Sequence, residues 1–159
     1  MQWQDVLADK TLQDLPYKIE LNEKGNIEMS PASNKHGIIQ SEFIYIFRSN
    51  LQNGLPLTEC SIQTSNGVKV ADVAWASHQF FAQYHLETPY TKAPELCVEI
   101  LSPSNTASEM VEKIKLYIDA GAKEVWLVTE AGHINFYDSD GERSNSQFDI
   151  DIDKITLNI

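Results

Sequence analysis

Apolar positions alternate with polar ones in some stretches of this chain and recur every three to four residues in others, and the two periods mark different elements. Residues 1–15 predict a short opening helix closed at Leu15-Pro16. Residues 17–21 and 26–29 predict two strands around the turn Asn22-Glu23-Lys24-Gly25. Ser30-Pro31-Ala32-Ser33-Asn34 is a loop ending in residues suited to cap a helix, which should run from about 35 to 51 and end near Asn53-Gly54. Strands follow at 57–63 and 68–76, joined by Ser65-Asn66-Gly67. In 77–94, Phe80, Phe81, Tyr84 and Tyr90 fit a short helix and a loop packed on a sheet. A strand at 95–101 leads through Ser102-Pro103-Ser104-Asn105-Thr106 into a helix at 107–120, closed by Gly121. Residues 123–129 and 133–138 read as a hairpin around Glu130-Ala131-Gly132, and a polar, alternating edge strand is expected at 147–157.

This order of helix, strands, helix, strands predicts an α/β or α+β domain with a mixed central sheet flanked by helices. Strand 95–101, helix 107–120 and strand 123–129 should form a right-handed parallel crossover. The 159 residues are expected to make one domain, 1–159, with a sizeable core.

Two carboxylates interrupt that core. Glu99 lies inside Glu95-Leu96-Cys97-Val98-Glu99-Ile100-Leu101, and Asp72 inside Val68-Lys69-Val70-Ala71-Asp72-Val73-Ala74-Trp75. A buried carboxylate is costly unless something pairs with it. Alternation puts Val70, Asp72 and Ala74 on one face and Lys69 on the other, so Lys69 is a poor partner for Asp72. Cys97, Glu99 and Leu101 share a face. If the two strands are neighbours, Asp72 and Glu99 converge on one cation. Hard divalent ions such as Mg²⁺ prefer oxygen ligands, and a cation removes the repulsion between close carboxylates. Singly, each acid is better explained by a loop hydrogen bond or a local base; together they point to a shared site.

Other residues qualify the picture. Glu42 has Ile38, Ile39, Tyr45 and Ile46 at helical spacing, so it either projects from a packing face or sits at its boundary. On helix 107–120, Lys115 has Glu112 and Asp119 beside it and reads as solvated. Lys113 has Met110, Leu116 and Tyr117 and is the better candidate to point inward, where a lysine can stabilise phosphate charge or orient water. His36 is a cap or an accessory near Glu42. Ser102, Ser104 and Asn105 read as caps, and Trp75 and Trp126 as core aromatics. There is no Gly-rich phosphate loop, Ser-His-Asp set or dinucleotide fingerprint.

The net charge of -11, with 12 Lys and Arg spread along the chain, argues against tight nonspecific DNA binding. A bound ion would partly offset this by supplying local positive charge. Cys60 and Cys97 give no disulfide framework, and the histidines and cysteines lack zinc-site spacing. No apolar run approaches the roughly 20 residues of a membrane span. The opening Met1-Gln2-Trp3-Gln4-Asp5 lacks secretory-signal character, so a cytoplasmic location is expected.

Ala71-Asp72-Val73-Ala74-Trp75, Pro94 through Thr106, Glu112-Lys113, Tyr117, Gly121 and Glu124-Val125-Trp126-Leu127-Val128 together resemble the Uma family of putative restriction endonucleases, in the PD-(D/E)XK nuclease superfamily. The similarity covers nearly the whole chain, including Ser30-Pro31 and His36-Gly37. It implies a restriction-endonuclease-like core and Mg²⁺ (Mn²⁺ as an alternative) held by Asp72, Glu99 and the Ile100 carbonyl. It also implies a catalytic set of Asp72, Glu99, Lys113 and Glu42, the last matching an acid often found on the first core helix. Two positions depart from the superfamily motif: Ala71 replaces its proline, and Leu101 stands where its lysine would be, a role the resemblance moves to Lys113 with Tyr117. The activity implied is Mg²⁺-dependent DNA endonuclease, with DNA as partner and a symmetric homodimer as the candidate assembly for cutting two strands. The other reading is a non-catalytic or regulatory binding domain that keeps the fold and the ion pocket.

Overall fold

The computed structural model describes residues 1–155 and 157. Helix α1 (Trp3–Ala8) is followed by a 3-10 turn (Lys10–Leu12) and a two-stranded antiparallel hairpin, β1 (Tyr17–Leu21) and β2 (Ile27–Pro31). Helix α2 (Asn34–Asn50) leads into β3 (Gly54–Thr64) and β4 (Gly67–Ser77). Then come α3 (His78–Tyr84), β5 (Leu96–Ile100), α4 (Ala107–Asp119), β6 (Glu124–Val128), β7 (Ile134–Asp138) and β8 (Gly141–Arg143). Strands β3 to β8 form one mixed sheet in chain order. Among the strands of the described residues β5 and β6 are the parallel pair, and α4 makes their crossover.

Helices cover both faces. Ile39, Phe43 and Phe47 of α2 pack with Val73, Trp75, Leu96, Val98 and Trp126. The rings of Phe43, Phe47 and Trp126 meet edge to face, with centroids 5.4–6.2 Å apart; each such buried side chain contributes roughly 1.5–3 kcal/mol. On the other face, Phe80 of α3 and Tyr117 of α4 pack with Ala74, Cys97 and Val125. Trp3 and Val6 of α1 cluster with Leu21, Val68 and Val70, seating the β1–β2 hairpin against β4. No helix among the described residues is long and apolar enough to cross a membrane.

Two elements depart from the sequence expectation. The opening helix is shorter than 1–15, because the Asp9 side chain accepts from Thr11 N at 2.8 Å and starts a separate 3-10 turn. The expected edge strand at 147–157 is not one where it is described; Thr156 lies outside the described residues. Its alternation reflects anchoring: Phe148 packs on Trp75, with centroids 5.9 Å apart, and Ile150 enters the core. The strand beside β7 is instead β8.

Candidate active site

The site is set by the register of β4 and β5. Val73 pairs Val98, Ala74 pairs Cys97, and Trp75 pairs Leu96. The same register carried one residue further puts Asp72 opposite Glu99, on the face that α4 covers. At that point the side chain of Asp72 replaces the ladder: its Oδ2 accepts from Ile100 N at 2.7 Å. Both carboxylates are buried.

Their free oxygens meet at one cation. Lys18 Nζ lies 2.7 Å from Asp72 Oδ1 and 3.1 Å from Glu99 Oε2. A second lysine, Lys113, reaches Glu99 Oε2 at 3.3 Å and Glu20 Oε1 at 2.9 Å. Glu20 also accepts from Val70 N at 2.7 Å. Three buried acids and two lysines therefore alternate in a chain from Asp72 to Glu20. Thr106 and Glu109 form a capping box that starts α4, and burial of Met110, Leu116 and Tyr117 turns the face that carries Lys113 inward. Tyr117, one turn beyond Lys113 on the same face, donates its hydroxyl to Glu99 Oε1 at 2.6 Å. Lys115 points outward and pairs with Asp119.

Helix α2 approaches from the other side. Ser33 caps it by accepting from His36 N at 3.1 Å. His36 Nε2 lies 3.3 Å from Asp72 Oδ2, and Gln40 Nε2 donates to the Asp72 carbonyl at 2.9 Å and to Glu59 Oε1 at 2.6 Å. Glu59 faces Asp72 across the β3–β4 register but leaves the ladder, with φ at 51°. A positive φ is uncommon for a glutamate and marks local backbone strain. Glu42 lies elsewhere: α2 buries Ile39, Phe43 and Phe47 on the opposite face of the sheet, and Ile38 and Tyr45 beside Glu42 are 47% and 69% exposed. It borders no part of the cleft and, among the described residues, its side chain makes no hydrogen bond or ion pair. The cleft holds about 290 Å³, with Tyr17, Lys18, Asp72, Glu99, Ile100 and Lys113 on its walls. Ser102 and Asn105 also border it; they close their own loop, Asn105 Oδ1 accepting from Ser102 N at 2.8 Å, rather than capping α4. Lys69 pairs with Glu28 at 3.0 Å and takes no part at Asp72.

Burial alone would raise the Asp72 carboxyl, but Lys18 and His36 outweigh it and hold it well below the usual carboxylate range. Glu99 goes the other way: burial raises it, with Asp72 and Glu20 adding to the rise, and Lys113 and Lys18 only partly offset them. The difference follows from the contacts, since Asp72 has the shorter lysine distance together with a peptide N–H and an imidazole. Burial disfavours the charged form of Lys18, yet Glu99 and Asp72 raise its ammonium well above the ordinary lysine value. His36 is raised chiefly by its bond to Asp72.

The donor set suits a hard divalent ion. All of its side-chain donors are oxygens, two carboxylates meet at one point, and an ammonium stands where they share a cation. Among the described residues no group of three or more His, Cys, Asp or Glu side chains is placed to hold a metal ion, so any ion here would rest on the two carboxylates and main chain. Mg²⁺ commonly binds through one or two carboxylates and keeps several waters, so an open set is appropriate.

A six-stranded mixed sheet flanked by helices, with paired acids where two central strands meet, is a restriction-endonuclease-like fold. The chain belongs to the Uma2 family, described as putative restriction endonuclease, which matches residues 9–149. A crystal structure described as a putative nuclease belonging to DUF820 from Anabaena variabilis superposes with a TM-score of 0.65 at 18% identity, covering 94% of this chain and 91% of that one. At that identity the likeness establishes the fold. No curated protein matches the chain.

Proposed function

We propose that this chain is a divalent-metal-dependent nuclease that hydrolyses phosphodiester bonds in DNA. The observation that carries the reading is the meeting of Asp72 Oδ1 and Glu99 Oε2 at one cation, the Lys18 ammonium. Asp72 and Glu99, with the Ile100 main chain beside them, would hold Mg²⁺ or Mn²⁺. A divalent ion there supplies positive charge that polarises the phosphate and makes coordinated water more acidic. Ile100 N–H and His36 fix the rotamer of Asp72, and Tyr117 fixes that of Glu99. Lys113, anchored by Glu20, presents its ammonium to the cleft and favours negative charge developing on a phosphoryl oxygen. Glu42, which does not line the cleft, is given no part in this reading.

The test is plasmid cleavage with Mg²⁺ or Mn²⁺, wild type against Asp72→Asn. Metal-dependent cutting lost in the variant supports the reading; cutting that persists unchanged removes it. The presence of Lys18 at the cation position, together with the net charge of -11, also favours a second reading: a domain that keeps the pocket but cuts nothing. Divalent binding without cleavage of single-stranded, double-stranded or branched DNA would select it.

A further inference from the structure

We infer that Lys18 is a built-in competitor of the divalent ion: its ammonium holds Asp72 and Glu99 together in the metal-free protein and must leave before the ion can enter. This rests on the reading of Asp72 and Glu99 as metal ligands.

The first argument is space. Mg²⁺ bonds oxygen at about 2.0–2.1 Å. An ion shared by Asp72 Oδ1 and Glu99 Oε2 needs the volume that Lys18 Nζ fills at 2.7 and 3.1 Å from those atoms. An ammonium and a dication cannot both stand there.

The second argument is charge. With the three acids ionised and the imidazole of His36, 3.3 Å from Asp72, neutral, Asp72, Glu99 and Glu20 face Lys18 and Lys113 with a net charge of minus one in a buried cluster. A dication added beside both lysines would leave an excess positive charge; a dication in place of Lys18 brings the cluster to neutrality. Unbalanced buried charge is expensive, so exchange is favoured over addition.

The third argument is which lysine can leave. Lys113 has Glu20 as its nearest partner and keeps it if Glu99 turns to an ion. Among the described residues Lys18 forms ion pairs only with the two carboxylates that the ion would take. It projects from β1, outside the six-stranded sheet, and its side chain is 12% exposed on the cleft wall. Tyr17, Ser30, Ser102 and Asn105 border the same cleft and give the displaced ammonium polar surroundings and access to water.

The experiment is Mn²⁺ titration by calorimetry at one pH for the wild type, Lys18→Met and Asp72→Asn, with melting temperatures in EDTA. Lys18→Met is expected to bind Mn²⁺ about tenfold more tightly than the wild type and to melt lower in EDTA, where its two carboxylates are left without their cation. A Lys18→Met protein that binds no tighter, while Asp72→Asn abolishes wild-type binding, overturns the role of Lys18 and leaves the metal reading intact. No Mn²⁺ binding by the wild type, or binding that survives Asp72→Asn, fails the metal reading and the inference with it. If Lys18→Met does not fold, reductive methylation of the wild type followed by mass spectrometry decides. Lys18 should label several-fold faster at saturating Mn²⁺ than in EDTA, and an unchanged rate overturns the inference.

Discussion

Tyr117 donates its hydroxyl to Glu99 Oε1 at 2.6 Å, with both groups buried. This contact ties α4 to the end of β5 and leaves Glu99 Oε2 to the two lysines. Tyr117→Phe keeps the ring and deletes one hydrogen bond to a buried acid. Such bonds are worth about 1.5–3 kcal/mol. Urea unfolding of the variant should show a lower midpoint at unchanged slope, together with weaker divalent binding. An unchanged midpoint would mean that Glu99 finds another donor.

Glu124 is a fourth buried strand carboxylate, beside Asp72, Glu99 and Glu20, and its work is structural. It accepts from Trp126 Nε1 at 2.8 Å, from Ser146 Oγ at 2.6 Å and from Gln147 N. It thereby pins the segment after β8 to β6. Glu124→Ala leaves those donors unpaired and should cost about 2–4 kcal/mol, since several hydrogen bonds to one charged group are lost together. Limited proteolysis should then cut near 144–149 before the rest of the chain, with Mn²⁺ affinity unaltered in the fraction that stays folded.

Burial pushes the Cys60 thiol up to about 12 and raises Cys97 well above its ordinary value. The unfolded chain ionises its thiols near pH 8.5, whereas the folded chain does not. The folded values being the higher, this contribution to stability is complete below that pH and falls as pH rises toward the folded values. Native protein at pH 8 should resist iodoacetamide at both cysteines, with labelling that tracks unfolding in urea. Rapid labelling of Cys60 in the native state would contradict its burial in the β3–β4 core.

Much of this was legible in the sequence, for identifiable reasons. Asp72 and Glu99 stood out because apolar neighbours made them anomalous, and strand alternation gave each a face. Lys113 stood out because its helical neighbours were apolar. Lys18 and Glu20 were not legible: in Tyr17-Lys18-Ile19-Glu20-Leu21 they alternate as on an ordinary half-solvated strand. Only the seating of the hairpin against β4 turns that polar edge inward. Glu42 misled because Ile38 and Tyr45 look like core residues but are exposed, while the packing stripe runs through Ile39, Phe43 and Phe47. The anomaly of a strand carboxylate is also not specific to chemistry, as Glu124 demonstrates.

Gln40 and Glu42 give a direct comparison on one helix. Gln40 bonds the Asp72 carbonyl and Glu59, whereas Glu42 faces away from the cleft. Gln40→Ala should weaken Mn²⁺ binding about threefold to tenfold, the range for losing a supporting hydrogen bond of about 1 kcal/mol. Glu42→Ala should leave it within experimental error. Calorimetry on the two variants reads both, and loss of binding in Glu42→Ala alone would mean that α2 sits differently on the sheet.

The central claim, that Asp72 and Glu99 share one divalent ion, is tested most directly by a crystal soaked in Mn²⁺ and measured at the manganese edge. The account predicts one anomalous peak about 2.0–2.5 Å from a carboxylate oxygen of each residue, with the Lys18 ammonium moved off it. Manganese bound elsewhere, or Asp72 and Glu99 still closed on Lys18 at saturating metal, would contradict it.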